Sequence, residues 1–106
     1  MDVATVDIEA LKDKAAEAAR LLRALSNERR LLVMCLLAAS GEMSVGPMAE
    51  RVDLSQSALS QPLARLRGAG RVAPRREGTT IYYRIADARV GAVLKLLHDL
   101  YCPELG

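Results

Sequence analysis

A chain of 106 residues has the commonest size for one domain, so a single domain over 1–106 is expected, with no room for a second module. Apolar residues at 51% and charged residues at 26% exclude intrinsic disorder, and with no Phe, no Trp and three Tyr the core has to be built from Leu, Val, Ala and Met. Fifteen Lys and Arg against thirteen Asp and Glu leave a net +2 that names no partner, and two cysteines are too few for a disulfide framework.

The start of the chain, Met1 to Lys14, carries Asp2, Asp7, Glu9 and Asp13 and has no apolar stretch of the kind a signal peptide needs. The longest apolar run, Leu31 to Ala39, is nine residues, about half of the roughly 18 to 20 a membrane helix requires. A cytoplasmic protein with no membrane contact is expected, in a compartment where thiols stay reduced.

Ile8, Leu11, Ala15, Ala18, Leu22 and Leu25 recur at spacings of three and four, one stripe along a first helix with Asp7 as N-cap. After a Ser26-Asn27 break, Leu31, Leu32, Cys35, Leu36 and Ala39 repeat at helical spacing until Ser40-Gly41, which predicts a second, buried helix carrying Cys35 among leucines. Ser44 can cap a short third helix to about Val52, with Pro47 in its first turn.

Asp53-Leu54 then forms a tight turn, and Ser55 caps a fourth helix, with Leu54 placed to staple onto Leu59. The third and fourth helices read as a helix-turn-helix. On the fourth, Leu59, Leu63 and Leu66 face inward, and Ser57, Ser60, Gln61 and Ala64 face outward between Gln56 and Arg65. Pro62 lies inside this helix and predicts a bend or a loosened carbonyl at Ala58.

After Gly68-Ala69-Gly70 the period becomes alternating. Ile81, Tyr83 and Ile85 point one way and Tyr82 and Arg84 the other, after a weaker run from Arg71 to Arg76 and a Glu77-Gly78-Thr79 turn. Pro74 makes the first strand of this hairpin an edge or a bulged strand. Asp87 caps a last helix with Val90, Val93, Leu94, Leu97, Leu100 and Tyr101 on its apolar side, ended by Cys102-Pro103. The expected fold is mainly α with a β-hairpin wing, a winged helix-turn-helix of order α-α-α-α-β-β-α.

Residues 55 to 84 hold six Arg against Glu77 alone, a net +5, which leaves −3 for the rest. A helix entering the major groove needs short polar side chains near base edges and flanking Arg for phosphates. Gln56, Ser57, Ser60, Gln61 and Arg65 meet that description, and a hairpin tipped by Arg75, Arg76 and Thr79 suits adjacent backbone or the minor groove. Double-stranded DNA is therefore the expected partner. Helix-turn-helix geometry also serves protein interaction, and an Arg-rich face can simply be solvated.

Ala24-Leu25-Ser26-Asn27-Glu28-Arg29-Arg30-Leu31, Ser44-Val45, Leu54-Ser55-Gln56-Ser57-Ala58-Leu59-Ser60-Gln61, Leu63-Ala64-Arg65-Leu66-Arg67, Gly70-Arg71-Val72 and Ile81-Tyr82-Tyr83-Arg84 together resemble the ArsR/SmtB family of winged-helix repressors. The resemblance spans roughly residues 15 to 102. It implies a homodimer, operator binding by the fourth helix, and release of DNA when an inducer is sensed. A homodimer is expected independently, because the long first and last helices carry more apolar stripe than a domain of this size hides alone.

Arsenic-type members of the family have paired cysteines where this chain has Gly41-Glu42-Met43-Ser44-Val45-Gly46. Zinc-type members place Asp and His ligands along the last helix, where only Asp87 and His98 are available, and one His does not complete a four-ligand zinc site. No metal and no cofactor are expected. The placement of Cys35 and Cys102 resembles the persulfide-sensing, BigR/SqrR-like branch, which implies a redox-sensing pair linked by reactive sulfur.

The expected sequence of events has Cys102, taken as the more accessible thiol, persulfidated first and its sulfur chain captured by Cys35. A direct disulfide needs Cα atoms about 4.4 to 6.8 Å apart, and a wider pair would accept only a polysulfide bridge. A soft metal, a general oxidant, or no inducer at all are the alternatives. An enzyme is not expected, because neither cysteine has a cation or a helix N-terminus beside it in sequence.

Overall fold

The computed structural model describes residues 7–102. In order these form α1 (Ile8–Leu25), α2 (Glu28–Ser40), β1 (Met43–Ser44), α3 (Val45–Val52), α4 (Gln56–Gly68), β2 (Val72–Glu77), β3 (Thr80–Ile85) and α5 (Ala88–Tyr101). Pro103, expected to end the last helix, lies outside the described residues.

Four of the five helices start on a short polar side chain. Asp7, Asn27, Ser55 and Asp87 accept the backbone N–H of Ala10, Arg30, Ala58 and Arg89, each at 3.1 Å, which satisfies donors that a helix leaves without partners. Ser44 occupies the same position before α3 but makes no capping bond through its side chain, contrary to expectation. Its backbone belongs instead to β1, a strand too short to show any alternation in sequence, which pairs Met43 with Tyr83 and Ser44 with Tyr82. At the other end of α2, Gly41 adopts a φ of +86°, the backbone conformation that stops this helix at the predicted place.

The sheet has the order β1-β3-β2. Pairing runs from Val72 opposite Ile85 to Glu77 opposite Thr80 with no residue skipped. Pro74 is thus accommodated on an edge strand without a bulge, and Gly78, at φ +63°, enters the turn.

The core gathers Leu21 and Leu25 of α1, Val33, Met34 and Leu37 of α2, Met48 and Ala49 of α3, Leu59, Leu63 and Leu66 of α4, Val72, and Val90 and Leu94 of α5. The helix-turn-helix leucines are as predicted. For α2 the expected face needs correction: Leu31 and Leu36 are half-buried, but Leu32, Cys35 and Ala39 are exposed, and Val33, Met34 and Leu37 fill the core. An unbroken apolar run from Leu31 to Ala39 offers two overlapping helical stripes, and packing against α1, α3, α4, α5 and β3 selects the one centred on Met34.

The fourth helix carries its interior proline without ending at it. It runs from Gln56 to Gly68 without interruption, with Pro62 inside it and buried. Apolar burial of the ring offsets part of the helix bond that proline cannot make.

Much of the stripe on α1 and α5 stays outside this core. Leu22 is 58% exposed, Leu100 63% and Tyr101 79%, and Ile8, Leu11 and Leu96 are exposed with them. Among the described residues no helix is long and apolar enough to cross a membrane.

Candidate nucleic-acid interface and thiol groove

The packing of Leu59, Leu63 and Leu66 turns the opposite side of α4 to solvent. Gln56, Ser57, Ser60, Gln61, Ala64, Arg65 and Arg67 are all exposed there. A shallow cleft of about 790 Å³ runs between this face, Val45 and Tyr83. Gly46 lies beneath one end of α4, and a Cβ at Gly46 would stand 3.7 Å from Nε2 of Gln56.

The wing places Arg75, Arg76 and Thr79 on exposed backbone, as the sequence suggests. Their charges are not equivalent. Arg75 donates to both carboxylate oxygens of Glu42, at 3.1 and 2.7 Å, and to Glu77 at 2.9 Å, while its guanidinium lies over Tyr82 at 4.8 Å from the ring centre. The hydrogen bond from Arg75 holds the Glu42 carboxyl below its ordinary range. Arg71 is buried and paired with Asp87. The uniform +5 surface inferred from residues 55 to 84 is therefore corrected: Arg65, Arg67, Arg76 and Arg84 are exposed and take part in no ion pair among the described residues. Glu42 was invisible as a partner in sequence, because 33 positions separate it from Arg75.

A second feature lies between α2 and α5. Both thiols are free, Cys35 exposed and Cys102 half-buried, which reverses the expected order of access. Cys35 lines a groove of about 600 Å³ together with Ile85, Gly91, Leu94, Lys95 and His98. Burial pushes the Cys35 thiol up from its ordinary value, and negative charge on Cys102 pushes in the same direction.

Cys102 occupies the C-cap of α5, its N–H bonded to the His98 carbonyl at 2.8 Å. The spacing 95, 98, 102 puts Lys95, His98 and Cys102 on one helix face, a grouping that helical spacing alone could have revealed. His98 is exposed beside Asp99, Nδ1 to Oδ1 at 3.7 Å. Among the described residues no three His, Cys, Asp or Glu side chains are grouped as a metal site would need.

Comparison with known proteins joins these observations. The profile described as "Bacterial regulatory protein, arsR family" matches residues 27–73, the stretch from the N-cap of α2 into the first strand of the wing. The transcriptional activator HlyU of Vibrio cholerae serotype O1 is 44% identical over 99 residues, covering 93% of this chain and 91% of that protein. A solved structure of reduced HlyU superposes with a TM-score of 0.81 at 46% identity, covering 89% and 98% of the two chains.

The transcriptional repressor BigR of Xylella fastidiosa has a TM-score of 0.86 at 35% identity, over 92% of this chain and 98% of that one. A homodimeric winged helix-turn-helix DNA-binding domain, Mb0332 of Mycobacterium bovis, gives 0.72 at 34% identity, over 95% and 91%. With relatives this similar over nearly its whole length, and with the same winged helix-turn-helix, the chain belongs to the arsR family of bacterial regulatory proteins and is a transcriptional regulator.

Proposed function

We propose that the chain is a cytoplasmic, homodimeric repressor that holds operator DNA through α4 and the wing and releases it when Cys35 and Cys102 become linked by reactive sulfur. Two free thiols, Cys35 on α2 in the groove against α5 and Cys102 at the C-cap of α5, carry the reading. The exposed apolar residues of α1 and α5 supply a surface for a second copy, in line with the homodimeric relative. Gln56, Ser57, Ser60 and Gln61 read base edges, and Arg65, Arg76 and Thr79 hold phosphates. Arg75, tied to Glu42, shapes the wing.

The sulfur chemistry needs no oxidant beyond a low-molecular-weight persulfide, RSSH. The Cys35 thiolate, the more accessible one, takes the outer sulfur of RSSH and releases RS⁻, giving Cys35–S–SH. Cys102 reacts with a second RSSH in the same way. The terminal sulfur of the Cys102 persulfide then attacks the Cys35 persulfide at the sulfur bonded to Cβ and expels HS⁻, leaving a Cys35–S–S–S–Cys102 bridge. The bridge ties the central helix of the DNA-reading unit to α5 of the dimer surface. A coupling of about 1 to 3 kcal/mol between bridge and DNA weakens binding from several-fold to about a hundredfold.

The test is mass spectrometry and duplex binding of the same sample after exposure to a glutathione persulfide donor, to peroxide and to metal ions. A three-sulfur link between the Cys35 and Cys102 peptides, accompanied by DNA release with the donor alone, is expected. A plain disulfide only, no modification, or release by metal instead would reject the sulfur reading.

A further inference from the structure

We infer that the junction of α1, α2 and α4 forms a second phosphate-holding surface, which grips DNA backbone beyond the segment that α4 reads. The inference rests on the DNA-binding reading above. Two shallow clefts of about 330 and 350 Å³ open on either side of Arg30 and Arg65. Arg20, Arg23, Arg30, Arg65 and Arg71 line the first, and no acidic residue does. Asn27, Arg29 and Gln61 join Arg30 and Arg65 around the second.

Guanidinium groups gathered in this way repel one another unless an anion lies among them. Among the described residues Arg20, Arg23, Arg29 and Arg65 enter no ion pair. Arg30 is held in place from behind, its Nε donating to the Ala24 carbonyl at 2.8 Å and its Nη2 to the Arg23 carbonyl at 3.1 Å. Arg71 is only 8% exposed, and its Nε is buried without a hydrogen-bond partner. Arg71 is itself paired with Asp87, so the unpaired arginines around it are what this surface offers to an anion.

The shape favours a polyanion over a small enclosed ligand. Both clefts are open, and the second includes Ser57 and Gln61 from the reading face of α4. Arg65 belongs to both clefts, so the basic surface continues from the base-reading side chains onto α1 without an acidic break. A strand of DNA leaving α4 carries a phosphate at every nucleotide, and arginine is suited to bidentate phosphate contact.

Arg20 and Arg23 are exposed side chains on α1, so the double variant R20Q/R23Q leaves the fold intact, checked by an unchanged melting temperature. Binding is measured over a salt series on a duplex selected from a random library by the wild type, once with long flanks and once trimmed to the selected core. The variant is expected to bind the long duplex about tenfold more weakly, with a salt slope shallower by about 0.9 for each phosphate it no longer neutralises, and to match the wild type on the trimmed duplex. The single variant R29Q, on the second cleft, is expected to move in the same direction.

Equal affinity and slope on the long duplex would overturn the inference. So would inorganic phosphate or pyrophosphate stabilising the wild type and not the variant while DNA binding stays the same, which would make the clefts a small-anion site. Failure of the wild type to bind any duplex would instead remove the DNA-binding reading, and this inference with it.

Discussion

Arg71, just after the end of α4, donates a hydrogen bond from Nη1 to Oδ2 of Asp87, the residue that caps α5. Both side chains are largely buried. The Arg71 carbonyl also accepts the Ala86 N–H at 2.8 Å, and the Arg71 N–H is bonded to the Leu66 carbonyl at 2.8 Å. The start of α5 is therefore fastened to the end of α4. Arg89 extends the connection, bonding Asp87 at 3.1 Å and Glu17 of α1 at 2.7 Å. A displacement of α5 or α1 has a polar route to α4 in addition to the apolar core.

Replacing Asp87 with Asn keeps a competent N-cap and removes the charge that balances Arg71. Leaving a buried cation unpaired is strongly destabilising, and a loss of about 2 to 3 kcal/mol in urea unfolding is expected. The Asp87 carboxyl is held down at about 2 from its ordinary 3.8, by the Arg89 hydrogen bond first and by Arg71 as well. The unfolded chain takes up that proton at the ordinary value, so this stabilisation is complete above about pH 4 and is lost as pH falls from there toward 2. About 1 to 2 kcal/mol of acid sensitivity, after allowing for screening by solvent, should be absent from D87N. Unfolding curves that superpose with wild type between pH 4 and 2 would deny Asp87 this role.

The thiol of Cys35 is shifted upward by burial and then by Cys102, although Lys95 and His98 line the same groove. Iodoacetamide alkylation of Cys35 should follow a pH profile whose midpoint lies above the ordinary thiol value of 9.0. C102S should bring the midpoint only part of the way back, because burial is the larger cause. A midpoint well below that ordinary value would show that the neighbouring cations outweigh desolvation and that Cys35 is an activated thiolate.

The legible parts of this protein are those governed by local rules. Asp7, Asn27, Ser55 and Asp87 stand where helices must begin, Gly41 where one must stop, and Pro74 where a strand must be an edge. The side chains of α4 split into core and surface as their spacing requires. The misread parts depend on contacts distant in sequence. The run Leu31 to Ala39 is apolar on every side, so its periodicity did not say whether Cys35 or Met34 faces the core. Charge counting along residues 55 to 84 treated six arginines alike, while Asp87 and Glu42 neutralise two of them from other elements.

Freeing Arg75 should raise affinity for DNA. In E42Q/E77Q the wing loses both carboxylates that accept hydrogen bonds from Arg75, and the guanidinium becomes available to phosphate. Fluorescence anisotropy over a salt series should show a steeper slope, by about 0.9 for each further phosphate neutralised. R75A should then cost less affinity than R76A, since Arg75 is already engaged. A larger loss for R75A would mean that the Glu42 pair opens on binding.

Pro62 sets helix propensity against packing. Proline in a helix interior costs about 3 kcal/mol relative to alanine, while its ring is buried here and P62A would give up roughly two methylenes of apolar contact at about 0.8 kcal/mol each. The backbone term is the larger. P62A is expected to stabilise the protein by about 1 kcal/mol in urea unfolding. P62H also regains the N–H, but it introduces a polar ring at a buried position, with a desolvation cost of about 1 to 3 kcal/mol where no partner is found. P62A should therefore be more stable than both wild type and P62H, and P62H should bind DNA no better than wild type. Finding P62A less stable by more than about 1 kcal/mol would show that the ring is held by packing tighter than its exposure suggests.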